Sequence, residues 1–303
     1  MYTQYYGLLR PPFEMTPDPS FLYLGEAHRE GLATLVYGVE SGKGFVLLTG
    51  EVGTGKTTLL HALLGRLDSR TLSAFIFNPR LNPLDFFRIL FEELELEPPG
   101  RTKAEYLLAL NEFLIGRLQK NERTLLIVDE AQNLSAEMLE EIRLLSNLET
   151  PRSKLIQIML VGQPELKEML RRPELRQLRQ RIALAHHLRP FDEQETGDYV
   201  EERLRTAGYT GRRLFKRGAL KELYRVTGGI PRLINNVCDA ALLLGFTKQA
   251  VAIEAETIRE VARDLELGEP ADATDGREAP PRRRGRRRRL LGLFRSARER
   301  SIG

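Results

Sequence analysis

An apolar run, Phe45-Val46-Leu47-Leu48-Thr49-Gly50, passes directly into Glu51-Val52-Gly53-Thr54-Gly55-Lys56-Thr57-Thr58 and then into a helical pattern. This order of strand, G-x-x-x-x-G-K-[ST] loop and helix constrains the fold more than any other feature of the chain. It lets successive backbone N–H groups turn inward as a nest for phosphate oxygens, with the dipole of the following helix behind them. On this reading Gly50, Glu51, Val52, Gly53, Thr54, Gly55, Lys56, Thr57 and Thr58 form the binding loop for ATP. Lys56 reaches the β and γ phosphates, and the Thr57 hydroxyl ligates Mg²⁺.

The rest of the body supports a sheet around that loop. Short apolar runs at 45–50, 73–78, 124–129, 155–162 and 182–188 read as five strands, nearly continuous in apolar residues as a parallel sheet covered on both faces requires. Helical patterns at Thr57 to Leu67, Pro83 to Leu96, Lys103 to Leu118 and Ala136 to Leu148 alternate with them. Such alternation predicts an α/β fold with a five-stranded parallel sheet between layers of helices. After Asp192 the strand signal stops. Helical patterns at Glu193 to Ala207, Arg213 to Val226, Pro231 to Phe246 and Ala255 to Leu265 predict a small all-helical lid domain.

Two carboxylates close the third strand, at Asp129 and Glu130. A strand ending this way meets a nucleotide at the carboxyl edge of the sheet, where Asp129 holds Mg²⁺ and Glu130 polarises the attacking water. The metal offsets the cost of placing carboxylates beside phosphates.

These motifs carry a family resemblance. The runs GEVGTGKTT and LLIVDEAQNL, the strand ending Val161-Gly162-Gln163-Pro164, the stretch Leu178-Arg179-Gln180-Arg181-Ile182 and Gly229-Ile230-Pro231-Arg232 together resemble AAA+ ATPases. The opening Tyr5-Tyr6-Gly7-Leu8, with Pro12-Phe13, Thr16-Pro17-Asp18-Pro19 and Phe21-Leu22-Tyr23-Leu24, looks like the general secretion pathway protein A (ExeA-like) group. The resemblance covers about residues 1–266. It implies a P-loop NTPase domain with an N-terminal arm over 1–190, a helical lid over 191–267, and ATP hydrolysis to ADP and phosphate. It further implies that Gln163 senses the γ-phosphate or the attacking water, and that Arg232 brings a guanidinium from the lid. Arg181, or else Arg179, would serve as a finger for a neighbouring subunit in a homo-oligomer. A segment from Asp18 to His28, with Phe21, Tyr23 and Leu24, would form the adenine-side lip.

Charge is distributed unevenly. Residues 277–303 hold eleven arginines against Glu278 and Glu299, a net of +9, which leaves −5 on residues 1–276 within the total of +4. Between Gly268 and Arg289 no aliphatic residue exceeds alanine, so 268–303 reads as a flexible linker and basic tail. Leu290, Leu293, Phe294 and Ala297 recur at helical spacing among the arginines. The tail therefore suits an anionic membrane surface, nucleic acid, or simple solvation. The acidic body, and the lack of a helix-turn-helix pattern after the lid, count against a broad nucleic-acid surface.

The longest apolar runs, Leu155 to Val161 and Ala240 to Phe246, fall short of the roughly 20 residues of a spanning helix. Met1 to Arg10 lacks a signal-peptide layout. One cysteine, Cys238, excludes an internal disulfide. The expected location is cytoplasmic, with a peripheral position on the inner face of the cytoplasmic membrane if the tail binds lipid. His28, His61, His186 and His187 show no metal-ligand spacing. The function expected is ATP-driven assembly or remodelling of a protein partner in an envelope-related secretion, pilus or exopolysaccharide system. The alternative is a nucleic-acid-associated regulator of the transposition or initiator type.

Overall fold

The computed structural model describes residues 1–14, 21–77, 82–151 and 153–267. The linker and tail, and the Thr16 to Ser20 part of the arm, lie outside the described residues.

Five strands form one sheet: β1 (Phe45–Gly50), β2 (Thr71–Ile76), β3 (Arg123–Val128), β4 (Gln157–Gly162) and β5 (Ile182–Leu188). Their order is β2-β3-β4-β1-β5, and every neighbouring pair is parallel. The three inner strands are apolar on both faces because both faces are covered. Val46, Leu48, Leu125, Ile127, Met159 and Val161 point into one core, while Phe45, Leu47, Leu126, Val128, Ile158 and Leu160 point into the other. This is the period-two alternation of a strand, hidden in the sequence because both sets are hydrophobic. The edge strands β2 and β5 are only partly buried, and β5 alternates between half-buried and exposed positions.

Short α1 (Tyr2–Tyr5) and α2 (Glu26–Glu40) precede the sheet, and α3 (Lys56–Leu64) follows β1. Between β2 and β3 lie α4 (Pro83–Glu93) and α5 (Lys103–Gln119), and between β3 and β4 lies α6 (Ala136–Leu145). Next come α7 (Pro164–Leu170) and α8 (Arg176–Arg181) before β5. Helices α2 and α3 cover one face and α4 to α8 the other, which makes three layers. Local chemistry fixes the helix starts. Asn82 accepts from the Asp85 N–H ahead of Pro83, Thr102 and Glu105 cap each other's backbone, and Ser135 accepts from the Met138 N–H.

The chain then leaves the sheet for α9 (Glu193–Thr206), α10 (Arg217–Thr227), α11 (Pro231–Thr247) and α12 (Ala255–Asp264). These four share a separate core with Val200, Leu223, Ile234, Val237, Cys238 and Ile258 at its centre. The N-terminal arm joins this core rather than that of the sheet: Tyr6, Leu8 and Phe13 are buried in it. Buried Arg203 anchors the arm. Its guanidinium donates to the Pro12 carbonyl and to the Tyr199 hydroxyl, and lies over the rings of Phe21, Tyr199 and Phe13 at 4.6, 5.6 and 6.0 Å. The sequence reading grouped the arm with residues 1–190, whereas its apolar contacts lie with the lid helices.

Candidate nucleotide site

In an open parallel sheet, ligands sit at the carboxyl ends of the strands, and the strand order decides which tips meet there. Because β4 lies between β3 and β1, the tips bring Gly50, Asp129 with Glu130, and Gln163 side by side. The sequence supplied these residues but not their adjacency.

In the loop after β1, Gly53 and Gly55 take φ of +80° and +97°, left-handed values that residues with a Cβ rarely adopt. The loop thereby turns its amides inward ahead of α3. Lys56 is buried, and its ammonium donates to the carbonyls of Gly50 at 2.8 Å and Glu51 at 2.9 Å. Burial pushes its pKa below the ordinary lysine value, while the charges of Glu130 and Asp129 push the other way. The Thr54 hydroxyl donates to the Glu51 carbonyl at 2.8 Å, whereas Glu51, Val52, Thr57 and Thr58 face solvent. This is a pre-formed cradle with a buried cation beneath it, which suits a phosphate chain.

Asp129 is buried, and its carboxylate accepts from the Glu130 N–H at 2.8 Å. Burial pushes its pKa up, the bond from the Glu130 N–H pulls it back, and the charge of Glu130 adds a smaller rise. Glu130 sits at φ +51°, in the left-handed region although it carries a side chain. Its carboxylate accepts from the amide of Gln132 at 2.5 Å and from that of Gln163 at 3.1 Å. The Gln132 carbonyl oxygen in turn accepts from the Gln163 backbone N–H at 3.1 Å. Gly162 makes this approach feasible, since a Cβ there would lie 2.6 Å from that oxygen. Gln132 is the site residue that sequence reasoning missed. Its only signal was its place two residues after Glu130, and its bridging role depends on β3 and β4 being neighbours.

The lid reaches the loop through the start of α11. The backbone N–H of Arg232 donates to the Gly53 carbonyl at 3.3 Å, and the exposed Arg232 side chain starts beside the loop. On the other flank His28, in α2, is buried with its Nε2 3.0 Å from the Thr54 carbonyl and its ring tilted against Phe191. A carbonyl can only accept, so Nε2 carries the hydrogen and the buried Nδ1 is left without a partner. Of the expected adenine-side residues, Tyr23 packs edge-on against Phe191 and Tyr199, and Phe21 lies under Arg10 and Arg203. Both serve the lid core. Leu24 packs against the core under α2.

The two finger candidates differ. Arg181 is half-buried and donates to the Ser146 hydroxyl at the end of α6, whereas Arg179 is exposed on α8. Among the described residues no group of three or more His, Cys, Asp or Glu could hold a metal ion. Magnesium in such a site is held by one or two protein oxygens together with the nucleotide's own phosphates, and Thr57 and Asp129 are oxygen donors of that kind.

The sequence pattern of the AAA domain family matches residues 39–170, a span that holds the loop, Asp129, Glu130, Gln132 and Gln163. The chain carries an AAA domain. It is 47% identical over 249 residues to general secretion pathway protein A of Aeromonas hydrophila, which covers 82% of this chain and 45% of that protein. The chain thus spans less than half the length of this curated relative. Among solved structures, the AAA domain and lid resemble the Aeropyrum pernix ORC2 protein in its ADPNP–ADP complexes, at a TM-score of 0.62 and 18% identity over 85% of this chain and 72% of that one. Drosophila ORC bound to DNA is similar at a TM-score of 0.65 and 15% identity, over 88% of this chain and 66% of that one. At these identities the likeness is one of fold: a P-loop α/β domain with a helical lid.

Proposed function

We propose that the chain is an ATP hydrolase whose lid motion acts on a protein partner in an envelope-related secretion, pilus or exopolysaccharide system. The observation that carries the chemistry is the meeting of Lys56, Asp129, Glu130 and Gln163 at adjacent strand tips beneath a phosphate cradle. The likeness to general secretion pathway protein A supports the choice of pathway.

Gly50 to Thr58 would hold the phosphates of ATP, with Lys56 exchanging its two carbonyl acceptors for phosphate oxygens. Thr57 and Asp129 would hold Mg²⁺, which supplies charge neutralisation when bound. Glu130 accepts a proton from the attacking water, and Gln163 orients that water or the terminal phosphate. Arg232 carries the state of the phosphates to the lid. Arg179 and Arg181 are the candidates for a finger reaching a second subunit; Arg179 is free to do so as it stands, whereas Arg181 must first leave Ser146. A finger in trans makes turnover depend on assembly into a homo-oligomer. The 277–303 tail, by its charge, would add attachment to an anionic membrane surface at the cytoplasmic face.

The test is phosphate release and ATP retention by the full chain over a range of protein concentrations. Glu130→Gln should keep ATP and lose about 10²- to 10⁴-fold in turnover, and wild-type specific activity should rise with concentration. Wild-type hydrolysis by Glu130→Gln would remove the water-activating role.

A further inference from the structure

The carboxylate of Glu130 is held from two sides through one oxygen. Its Oε2 accepts from Gln132 Nε2 and Gln163 Nε2, while Gln132 Oε1 accepts from the Gln163 N–H. These bonds close a ring, so neither Glu130 nor Gln163 can swing without breaking a bond to the ring. Both amides use Oε2, and no hydrogen bond to Oε1 is found among the described residues. The ring sits on unusual supports. Glu130 has a left-handed backbone, and Gly162 keeps clear the space that Gln132 fills. Every side-chain hydrogen bond described for Gln132 goes to Glu130 or Gln163, and none goes to the phosphate loop.

We infer that Gln132 is a positioning residue, whose carboxamide fixes the Glu130 carboxylate and the Gln163 side chain in one frame and thereby sets the rate of attack on the terminal phosphate without contributing to nucleotide binding. The inference rests on the hydrolase reading. One amide does both jobs because it donates and accepts at once, which neither a carboxylate nor an alkyl group of the same length can do.

The experiment is steady-state phosphate release over a range of ATP concentrations, with titration of ADP, for the full-length wild type, Gln132→Met, Gln132→Glu and Gly162→Ala. Gln132→Met keeps the length and loses both bonds; kcat should fall about ten- to a hundredfold, the loss expected from about 1 Å of misplacement. KM and the ADP Kd should stay within about twofold. Gln132→Glu keeps the acceptor for the Gln163 N–H but sets a second carboxylate against Glu130. Its kcat should fall at least as far as that of Gln132→Met, again with the ADP Kd within about twofold. Gly162→Ala enters the ring from the other side and should lower kcat in the same way, which keeps the test open if Gln132→Met does not fold.

A Gln132→Met variant with wild-type kcat would overturn the inference alone. So would a parallel loss of kcat and ADP affinity, which is the mark of a merely structural role, or a Gln132→Glu variant with wild-type kcat. A wild type that binds ATP and releases no phosphate would overturn the hydrolase reading and this inference with it.

Discussion

Lys56 and Arg203 are both buried cations, each 7% exposed, and the chain treats them differently. Around Arg203 the protein supplies the Pro12 and Glu14 carbonyls, the Tyr199 hydroxyl and three aromatic faces. Tyr199 passes its own hydrogen to Asn235 at 2.8 Å, which extends the network into α11. Around Lys56 the protein supplies two backbone carbonyls for three donors, and the nearby carboxylates act through charge. Asp129, also buried, is pushed toward its neutral form. The bonds of Arg203 tie the arm to the lid, whereas those of Lys56 go to two carbonyls of its own loop, with the carboxylates of Glu130 and Asp129 near enough to act through charge. A buried charge whose bonds join distant segments stabilises a fold; one set among carboxylates at strand tips marks a candidate site.

This contrast is open to direct attack. The largest stability effect should come from Arg203→Ala, which takes the donor away from the Pro12 and Glu14 carbonyls and the cation from three rings. Chemical denaturation should show a loss of about 3–5 kcal/mol, from charged hydrogen bonds of about 1.5–3 kcal/mol each and the cation–π contacts. An unchanged unfolding midpoint would mean that the arm is not held there.

Next in size is Gly229→Ala, at the join between sheet and lid. Gly229 has φ +73°, its carbonyl accepts from the Phe191 N–H at 2.9 Å, and a Cβ would lie 1.8 Å from the Phe191 carbonyl oxygen. The backbone there must move, so the variant should lose about 2 kcal/mol or more, including about 1–2 kcal/mol for the left-handed conformation. It should also weaken the coupling of Arg232 to the loop. Hydrogen exchange at the Arg232 amide reads this out: faster exchange in the variant is expected, and equal rates would separate the join from the loop.

The smallest effect concerns His28. Burial holds its pKa below the ordinary 6.5, against the opposing pull of the Thr54 carbonyl. The unfolded chain therefore takes up this proton first as pH falls. The contribution to stability is present in full above about 6.5 and is lost as pH drops from there toward the folded value. NMR of the imidazole should show a ring that titrates below 6.5, with the hydrogen of its neutral form on Nε2. A ring that titrates at 6.5 or above would contradict the buried contact with the loop.

Much of the α/β fold was legible because its signals are local. The strand at 45–50 and the helices from Lys103 and Pro231 follow from runs and caps within a few residues. Helix α2 was harder to read. Its buried stripe of Ala27, His28, Leu32, Leu35 and Val39 is helical, but Gly31 and Gly38 interrupt it where the helix lies close to His186 and Val46. The allegiance of the arm was illegible, since the Tyr2 hydroxyl finds the Asp239 carboxylate at 2.5 Å across 237 residues of sequence. Lys56, Asp129 and Glu130 could be read from their motifs because each motif carries its own chemistry. Gln132 could not, because it acts only through tips that the strand order brings together. Nor could the hold of Ser146 on Arg181, two side chains that are 35 residues apart.

The most direct test of the central contrast is calorimetric titration of ATP with Mg²⁺ into the full chain and into Lys56→Met, with the stability of both variants measured in parallel. Lys56→Met should bind at least about 100-fold more weakly, a loss of about 2.7 kcal/mol in binding. It should fold as stably as the wild type to within about 1 kcal/mol, because the methionine removes a buried cation that the fold does not fully satisfy. Equal affinity in the two proteins, or a Lys56→Met chain destabilised as much as Arg203→Ala, would contradict the reading of Lys56 as a charge held ready for phosphate.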